Sequence, residues 1–271
     1  MERAVHADDE QELTGGFLTG SVTRSGDRVQ RSAGPWSPAI HSWLAHLDAR
    51  GGGVNVAPRP VDLDPGGRVE VLSFLDGDVP SGGASPPYLW REETLSAVAR
   101  LVRRFHDASV EFTPPPQARW QSAVACPGGG EVICHNDLAP WNTVFVHERP
   151  VGFIDWDLAA PGTRLWDVAF ALWHFVPLYG DPESDPFDVT VFEPRARRAR
   201  LFCDAYGLGE RGRVVDLVIE RQLAARTAIE QGAQAGDPAY ERLWELGAGD
   251  GIDRQMRYVR RHRHELERAL G

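Results

Sequence analysis

Only three cysteines, Cys126, Cys134 and Cys203, occur in the 271 residues. Their number is odd and no two are spaced as CxxC, so neither a disulfide framework nor a zinc site is indicated. Reduced, packed thiols are the expectation. Lysine is absent altogether: all 29 basic residues are arginines. No apolar run approaches the roughly 20 residues that a membrane-spanning helix requires. The opening segment MERAVHADDEQEL is polar and acidic, unlike a signal peptide, so a cytoplasmic protein without membrane contact is expected. The net charge of −10 argues against a nucleic-acid partner. It suits plain solubility or a cationic ligand.

What is present is an ordinary globular composition, 42% hydrophobic and 25% charged. The length accommodates two lobes with a shared cleft. The N-terminal part reads as β-rich. FLTGSVTR and DRVQRS are short candidate strands around the turn Ser25-Gly26-Asp27, and VEVLSFL, Val69 to Leu75, is another. SPAIHSWLAHLDARGGG between them reads as a helix, with Ser37 as N-cap, Pro38 at the first helical position and glycines from Gly51 as its stop. The Gly, Pro and Ser between Asp76 and Pro87 suit a connection. ETLSAVARLVRRFHDA then places Leu95, Val98, Leu101, Val102 and Phe105 at helical spacing. A further helix is expected from about Arg164 to Phe175. From Glu193 onward the pattern gives several helices separated by GLGERG, GAQAGDP and GAGDG. The last, RQMRYVRRHRHELERAL, reads as a solvated amphipathic surface helix.

The stretch ICHNDLAPWNTVFV, Ile133 to Val146, interrupts two apolar runs with His135, Asn136, Asp137 and Asn142. A plain turn needs one or two such residues. Four of them, stiffened by Pro140 and Trp141, suit a loop that holds polar groups in fixed places. The strands TVFV and VGFI, joined by HERP, predict a hairpin. Its outer ends meet, so Asn142 and Asp155 become neighbours. Side by side they offer hard oxygen ligands of the kind Mg²⁺ takes when it also holds phosphates. Asp137, on the same loop, can accept a proton from a substrate hydroxyl. The plainer readings are a turn or cap residue for Asp137, a turn amide for Asn142 and a strand-end cap for Asp155.

HNDLAPWN followed by IDWD resembles the HxDxxxxN and DxD signature of the aminoglycoside phosphotransferase and choline kinase family. Those enzymes share the two-lobed protein-kinase-like fold. The resemblance covers the cleft segments from about Gly15 to Asp167. It implies an α+β chain with a small β-rich N-lobe, residues 1–76, and a larger, mostly helical C-lobe, residues 77–271. It implies Asp137 as catalytic base, Asn142 and Asp155 as Mg²⁺ ligands, and His135 as a brace of the loop. Asp157 matches a second acidic position whose role varies across the family. Asp167 resembles an Asp that ties the following helix to the catalytic loop. VLSFLDG resembles the interlobe hinge, which would put the backbone at Ser73 and Leu75 against the adenine. FHDA, Phe105 to Ala108, resembles the end of the helix before the catalytic loop. TGGFLTGSV has Gly15, Gly16 and Gly20 but no GxGxxG. Amides at Gly16 and Gly20 are expected to reach phosphate oxygens, a glycine-containing hairpin turn being the alternative.

One departure stands out. The family's small-lobe lysine, paired to a Glu on the next helix, cannot exist in a lysine-free chain. Strand order puts Arg31 at that position. The helix has no Glu where one is expected; His41 lies nearby. Arg31 is then either a phosphate-binding cation without a helix partner or an exposed strand residue. The implied activity is an ATP- or GTP-dependent, Mg²⁺-assisted kinase phosphorylating a hydroxyl of a small molecule, with a cationic aminoglycoside or amino sugar as one candidate. The acidic loop Leu178 to Asp188 would hold such a cation, or is simply solvated. The alternatives are a nucleotide-binding pseudokinase or regulator, and a choline-, homoserine- or fructosamine-type kinase. A monomer or homodimer is expected.

Overall fold

A computed structural model describes residues 10–13, 22–50, 56–80, 85–181, 186–187 and 190–271. Gly15, Gly16 and Gly20 lie outside the described residues, as does most of FLTGSVTR. Five short strands form one antiparallel sheet: β1 (Gln11–Leu13), β2 (Val22–Ser25), β3 (Arg28–Ser32), β4 (Pro60–Leu63) and β5 (Val69–Ser73). Their order is β1-β2-β3-β5-β4. β1 and β4 were not legible in the sequence; β4 carries Pro60, which suits a strand at a sheet edge. β2 and β3 join over the expected turn, where Gly26 takes a φ of +60°.

The central register matters most. Arg31 on β3 lies directly opposite Glu70 on β5. Both side chains are on the buried face of their strands. A cross-strand pair of opposite charge is thus built into the sheet. Arg31 is only 7% exposed, so its reading as an exposed strand residue is wrong.

Helix α1 (Ser37–Ala49) starts where Pro38 predicts, but Ser37 does not cap it. Trp36 takes the cap position, and the Ser37 hydroxyl accepts the N–H of Gly34 at 3.0 Å. Helix α2 (Glu92–Ser109) buries the expected stripe of Leu95, Val98, Leu101, Val102 and Phe105. Strand β6 (Val132–Cys134) leads into the polar loop and pairs with β9 (Ala160–Gly162). The hairpin of β7 (Thr143–Val146) and β8 (Arg149–Phe153) is formed as expected. Its turn is tighter than HERP, because His147 and Glu148 alone reverse the chain, at φ of +48° and +63°. Arg149 and Pro150 already belong to β8.

Helix α3 (Arg164–Phe175) has the expected bounds. Then follow α4 (Glu193–Tyr206), α5 (Val214–Gln234), α6 (Pro238–Glu245), α7 (Ala248–Arg261) and α8 (Arg263–Leu270). GAGDG is not a linker: Gly247 caps α7 and the rest forms its first turn. The expected last helix is two, broken at His262, whose ring stacks on Phe192 at 4.1 Å. Its apolar face is buried through Met256, Tyr258, Val259, Leu266 and Leu270. α5 packs against α3, α6 and α7. The three cysteines are free; Cys134 and Cys203 are buried.

One apolar core ties these parts together beneath the loop. Phe105 meets Phe153 of β8 at 5.9 Å and Trp156 at 5.2 Å, and Trp156 meets Trp43 of α1 at 6.3 Å. Phe105→Ala opens a cavity at this junction and is expected to cost about 3–5 kcal/mol of stability, read from denaturant unfolding. A loss below about 1 kcal/mol would show that the junction repacks.

Candidate active site

β6 ends at Cys134, and the polar loop begins with the buried His135. Its Nε2 pairs with the carbonyl of Ile154 at 3.0 Å, and its Nδ1 accepts the N–H of Asp137 at 3.3 Å. The carbonyl partner fixes the proton on Nε2. Burial holds this imidazole below its usual pKa, so it braces the loop as a neutral ring. The ring lies 4.4 Å from that of Trp156.

Asp167, in the first turn of α3, is fully buried and reaches back to the loop. Its Oδ2 accepts the N–H of His135 at 2.7 Å, and its Oδ1 accepts the N–H of Asn136 at 2.9 Å. His106 of α2, the His of FHDA, sits 3.1 Å from Oδ2 and 2.8 Å from the Tyr206 hydroxyl. Burial pushes the Asp167 carboxyl up, but His106, His135 and the amide hydrogen bond outweigh it and hold the group below its usual range. The expected tie between helix and loop is present. His106, Cys134 and Asp167 offer ligand atoms within 4.8 Å of one another. Their groups are already engaged with Tyr206, the carbonyl of Thr163 and the loop amides, so this cluster braces the fold.

Asp137 follows Asn136, which takes a left-handed φ of +64°. Asn142, at the end of a short turn from Pro140, donates its amide to Asp137 Oδ2 at 2.6 Å and to the Asp137 carbonyl at 3.1 Å. Asn142 Oδ1 is thereby the atom left for a cation. Across the hairpin, Thr143 pairs with Phe153, and the N–H of Ile154 donates to the carbonyl of Asn142 at 2.9 Å. Asp155 follows at a left-handed φ of +61°. The hairpin therefore brings Asn142 and Asp155 to one end, as its pattern predicts. Residues at such backbone angles are held by their surroundings, which is common where geometry serves a site.

Arg31 reaches this end from the sheet. Its Nε donates to Glu70 Oε1 at 2.8 Å, Nη1 to Asp155 Oδ1 at 3.1 Å and Nη2 to Asp157 Oδ1 at 2.6 Å. Its burial opposes its charge, but Asp157, Glu70 and Asp155 together raise its pKa. The other oxygen of Glu70 meets Nε2 of His41, on α1, at 2.8 Å. The acidic partner thus comes from β5, and α1 joins through His41. Sequence spacing missed Glu70, although a lone Glu inside the apolar strand VEVLS is a visible signal.

The carboxylates crowd one another. Burial pushes the Asp137 carboxyl up to about 7, and the charge of Asp155 adds to this, against the hydrogen bond from Asn142 and the charge of Arg221. Burial likewise pushes Asp157 up to about 6, although Arg31 pulls it down. Oxygen donors in such excess of negative charge fit a hard divalent cation. Of the expected hinge residues, Ser73 accepts the Arg59 N–H with its hydroxyl at 2.8 Å. The Leu75 side chain packs over Gly152 of β8. Trp141, beside Asn142, is 44% exposed and meets the ring of His174 on α3 at 4.8 Å.

A β-sheet meeting a mostly helical body, with an Asp–Asn loop and a facing Asp hairpin between them, is the arrangement of a protein-kinase-like phosphotransferase. The model of the phosphotransferase enzyme family matches residues 117–206. The trifolitoxin immunity protein of Rhizobium leguminosarum bv. trifolii is 35% identical over 270 residues, covering 97% of this chain and 99% of that protein. The chain belongs to the phosphotransferase enzyme family. Among solved structures, a choline/ethanolamine kinase family protein from Mesorhizobium loti is similar with a TM-score of 0.59 at 17% identity, covering 95% of this chain and 94% of its own. The GDP complex of an aminoglycoside 2'-phosphotransferase-IIIa gives 0.61 at 14% identity, with 96% and 95% covered. A macrolide 2'-phosphotransferase from Brachybacterium faecium gives 0.54 at 16% identity, with 90% and 91% covered. These likenesses establish the fold. No helix among the described residues is long and apolar enough to cross a membrane.

The raised Asp137 carboxyl makes a prediction about stability. The fold favours its neutral form, so this group's contribution is greatest below its ordinary pKa of 3.8 and is lost as pH rises through about 7. Asp137→Asn removes the penalty. It is expected to melt above the parent at pH 8, with the gap closing toward pH 4. Thermal unfolding at the two pH values checks this; a gap that widens toward acid would contradict it.

Proposed function

We propose that this protein transfers the γ-phosphate of ATP or GTP to a hydroxyl of a small molecule. The observation that carries the reading is the convergence of Asp137, Asn142, Asp155 and Arg31 at one end of the hairpin. In this reading Asp137 orients the acceptor hydroxyl and takes its proton. Asn142 and Asp155 hold Mg²⁺, with Asp157 as a further carboxylate on the same side. When bound, Mg²⁺ neutralises charge on the phosphates. Arg31 fills the place of the missing lysine. A guanidinium has five N–H donors, and three are directed at Glu70, Asp155 and Asp157. The remaining two can meet phosphate oxygens while the carboxylates stay in place. The adenine would lie between the two proposed lobes, residues 1–76 and 77–271, near Ser73 and Leu75. Gly16 and Gly20 would cover the phosphates.

The Arg31–Glu70 pair also weighs against a catalytically silent regulator, since the apparent lack of such a pair was the reason to consider one. Solved relatives in complex with GDP, or with ADP and streptomycin, support a nucleotide as co-substrate.

For the acceptor, we infer a toxin or antibiotic with an exposed hydroxyl. The support is the 35% identity, along nearly the full length of both chains, to a protein named for immunity to trifolitoxin. Phosphorylation adds negative charge and bulk to such a molecule and can abolish its fit to a target. Acidic Leu178 to Asp188 lies partly outside the described residues, so a cationic acceptor rests on the net charge alone. Choline-, homoserine- and fructosamine-type acceptors belong to the same reaction class. The reaction would take place in the cytoplasm.

Incubation of the purified chain with γ-labelled ATP or GTP, Mg²⁺ and a panel of antibiotics, peptide toxins and amino alcohols tests the proposal. Labelled product is expected from at least one acceptor. Asp137→Ala is expected to lower turnover by about 100-fold or more while nucleotide still binds. Nucleotide binding without transfer to any acceptor would turn the assignment toward the regulator.

A further inference from the structure

The direction of the Asp137 side chain depends on the peptide unit before it. That unit carries the carbonyl of Asn136 and the N–H of Asp137. The N–H donates to His135 Nδ1 at 3.3 Å. The carbonyl accepts Nη2 of Arg221 at 2.7 Å, from the middle of α5. Asn136 is left-handed, a conformation that asparagine tolerates better than most residues and that the bonds on either side of the peptide hold in place. Asp167 of α3 holds the loop by its N–H groups, and Arg221 of α5 holds it by a carbonyl.

Arg221 is fully buried. Its Nη1 donates to the carbonyl of Val124 at 3.0 Å. Its guanidinium lies 4.9 Å from the ring centre of Trp166 and 4.6 Å from that of Phe170. No carboxylate among the described residues comes within salt-bridge distance, and its Nε has no partner among them. Burial holds its pKa down to about 10. Asp167 and Asp137 oppose this from beyond salt-bridge distance, but burying a charge whose direct partners are two carbonyls and two rings is still costly. What the guanidinium supplies, and an apolar side chain of similar size does not, is a rigid fork. That fork joins Val124, before β6, to Asn136, after it.

We propose that Arg221 is a positioning residue of the phosphotransferase site: its fork fixes the Asn136–Asp137 peptide and thereby aims the Asp137 carboxylate at the acceptor. This rests on the function proposed above. Arg221 lies beyond both the HNDLAPWN–IDWD signature and the matched residues 117–206. Arg221 contacts neither nucleotide nor acceptor in this account, so its loss should leave binding intact and slow the chemical step.

The test is single-turnover hydrolysis of Mg·ATP and Mg·GTP, with water as acceptor, well below each variant's melting temperature. Fluorescent nucleotide analogues give the affinity in parallel. Arg221→Met is expected to lower the hydrolysis rate at least about tenfold, since small misplacements of reacting groups cost up to about 100-fold. Nucleotide affinity should stay within about twofold of the parent, less than the tenfold that 1.4 kcal/mol represents. A hydrolysis rate within that same margin in folded Arg221→Met, or a rate loss matched by lost affinity, overturns the proposal. Should Arg221→Met not fold, Arg221→Lys, which keeps the charge and gives up the fork, is judged by the same criteria. Should the parent hydrolyse neither nucleotide, water is simply not an acceptor and the phosphotransferase reading is judged by the acceptor panel above. Amide hydrogen exchange at Asp137 then decides the positioning: faster exchange in the variant supports it, unchanged exchange overturns it.

Discussion

One guanidinium joins the sheet to the acidic end of the hairpin. Arg31 leaves the central strand β3, meets Glu70 across the ladder, and answers Asp155 and Asp157 beyond it. Each carboxylate by itself would be costly to bury. Together around one arginine they are partly compensated, with an excess of negative charge that a divalent cation can take up. A lysine at this position has three donors on a single nitrogen and could not span three separated carboxylates in the same way. The absence of lysine from the whole chain is therefore compatible with an intact site, provided the acidic partner stands on β5 and not on α1.

The second constraint is the restraint of the polar loop. Its backbone takes a left-handed turn at Asn136, and the residues around that turn are gripped from three helices. His106 of α2 orients Asp167, Asp167 of α3 receives the loop amides, and Arg221 of α5 receives the Asn136 carbonyl. His135 closes the loop onto the hairpin through the Ile154 carbonyl. Helix packing and loop geometry are thus linked: a shift of α3 or α5 moves the peptide that carries Asp137. The apolar junction of Phe105, Phe153 and Trp156 lies beneath the same loop and opposes such a shift.

Much of this was legible from local pattern. HNDLAPWN, IDWD and the hairpin between them specify Asp137, Asn142 and Asp155 because their geometry is set by one turn and two short strands. Asp167 was legible only through the family resemblance, because it reaches the loop from α3, about thirty residues downstream. Glu70 was not, because its role depends on which residue faces Arg31 across a ladder, and register is a tertiary property. Arg221 was not, because it approaches from a helix about eighty residues downstream of the loop that it holds. The division of the last helix at His262 escaped detection because Phe192, which stacks on that ring, is equally remote in sequence.

The central claim is that Arg31 does the work of the missing lysine. Calorimetric titration of Mg·ATP and Mg·GTP into the parent and into Arg31→Met measures it directly. Loss of charge-assisted hydrogen bonds predicts an affinity at least about tenfold weaker in the variant, with the fold retained by circular dichroism. Equal affinity in the two proteins would contradict the account.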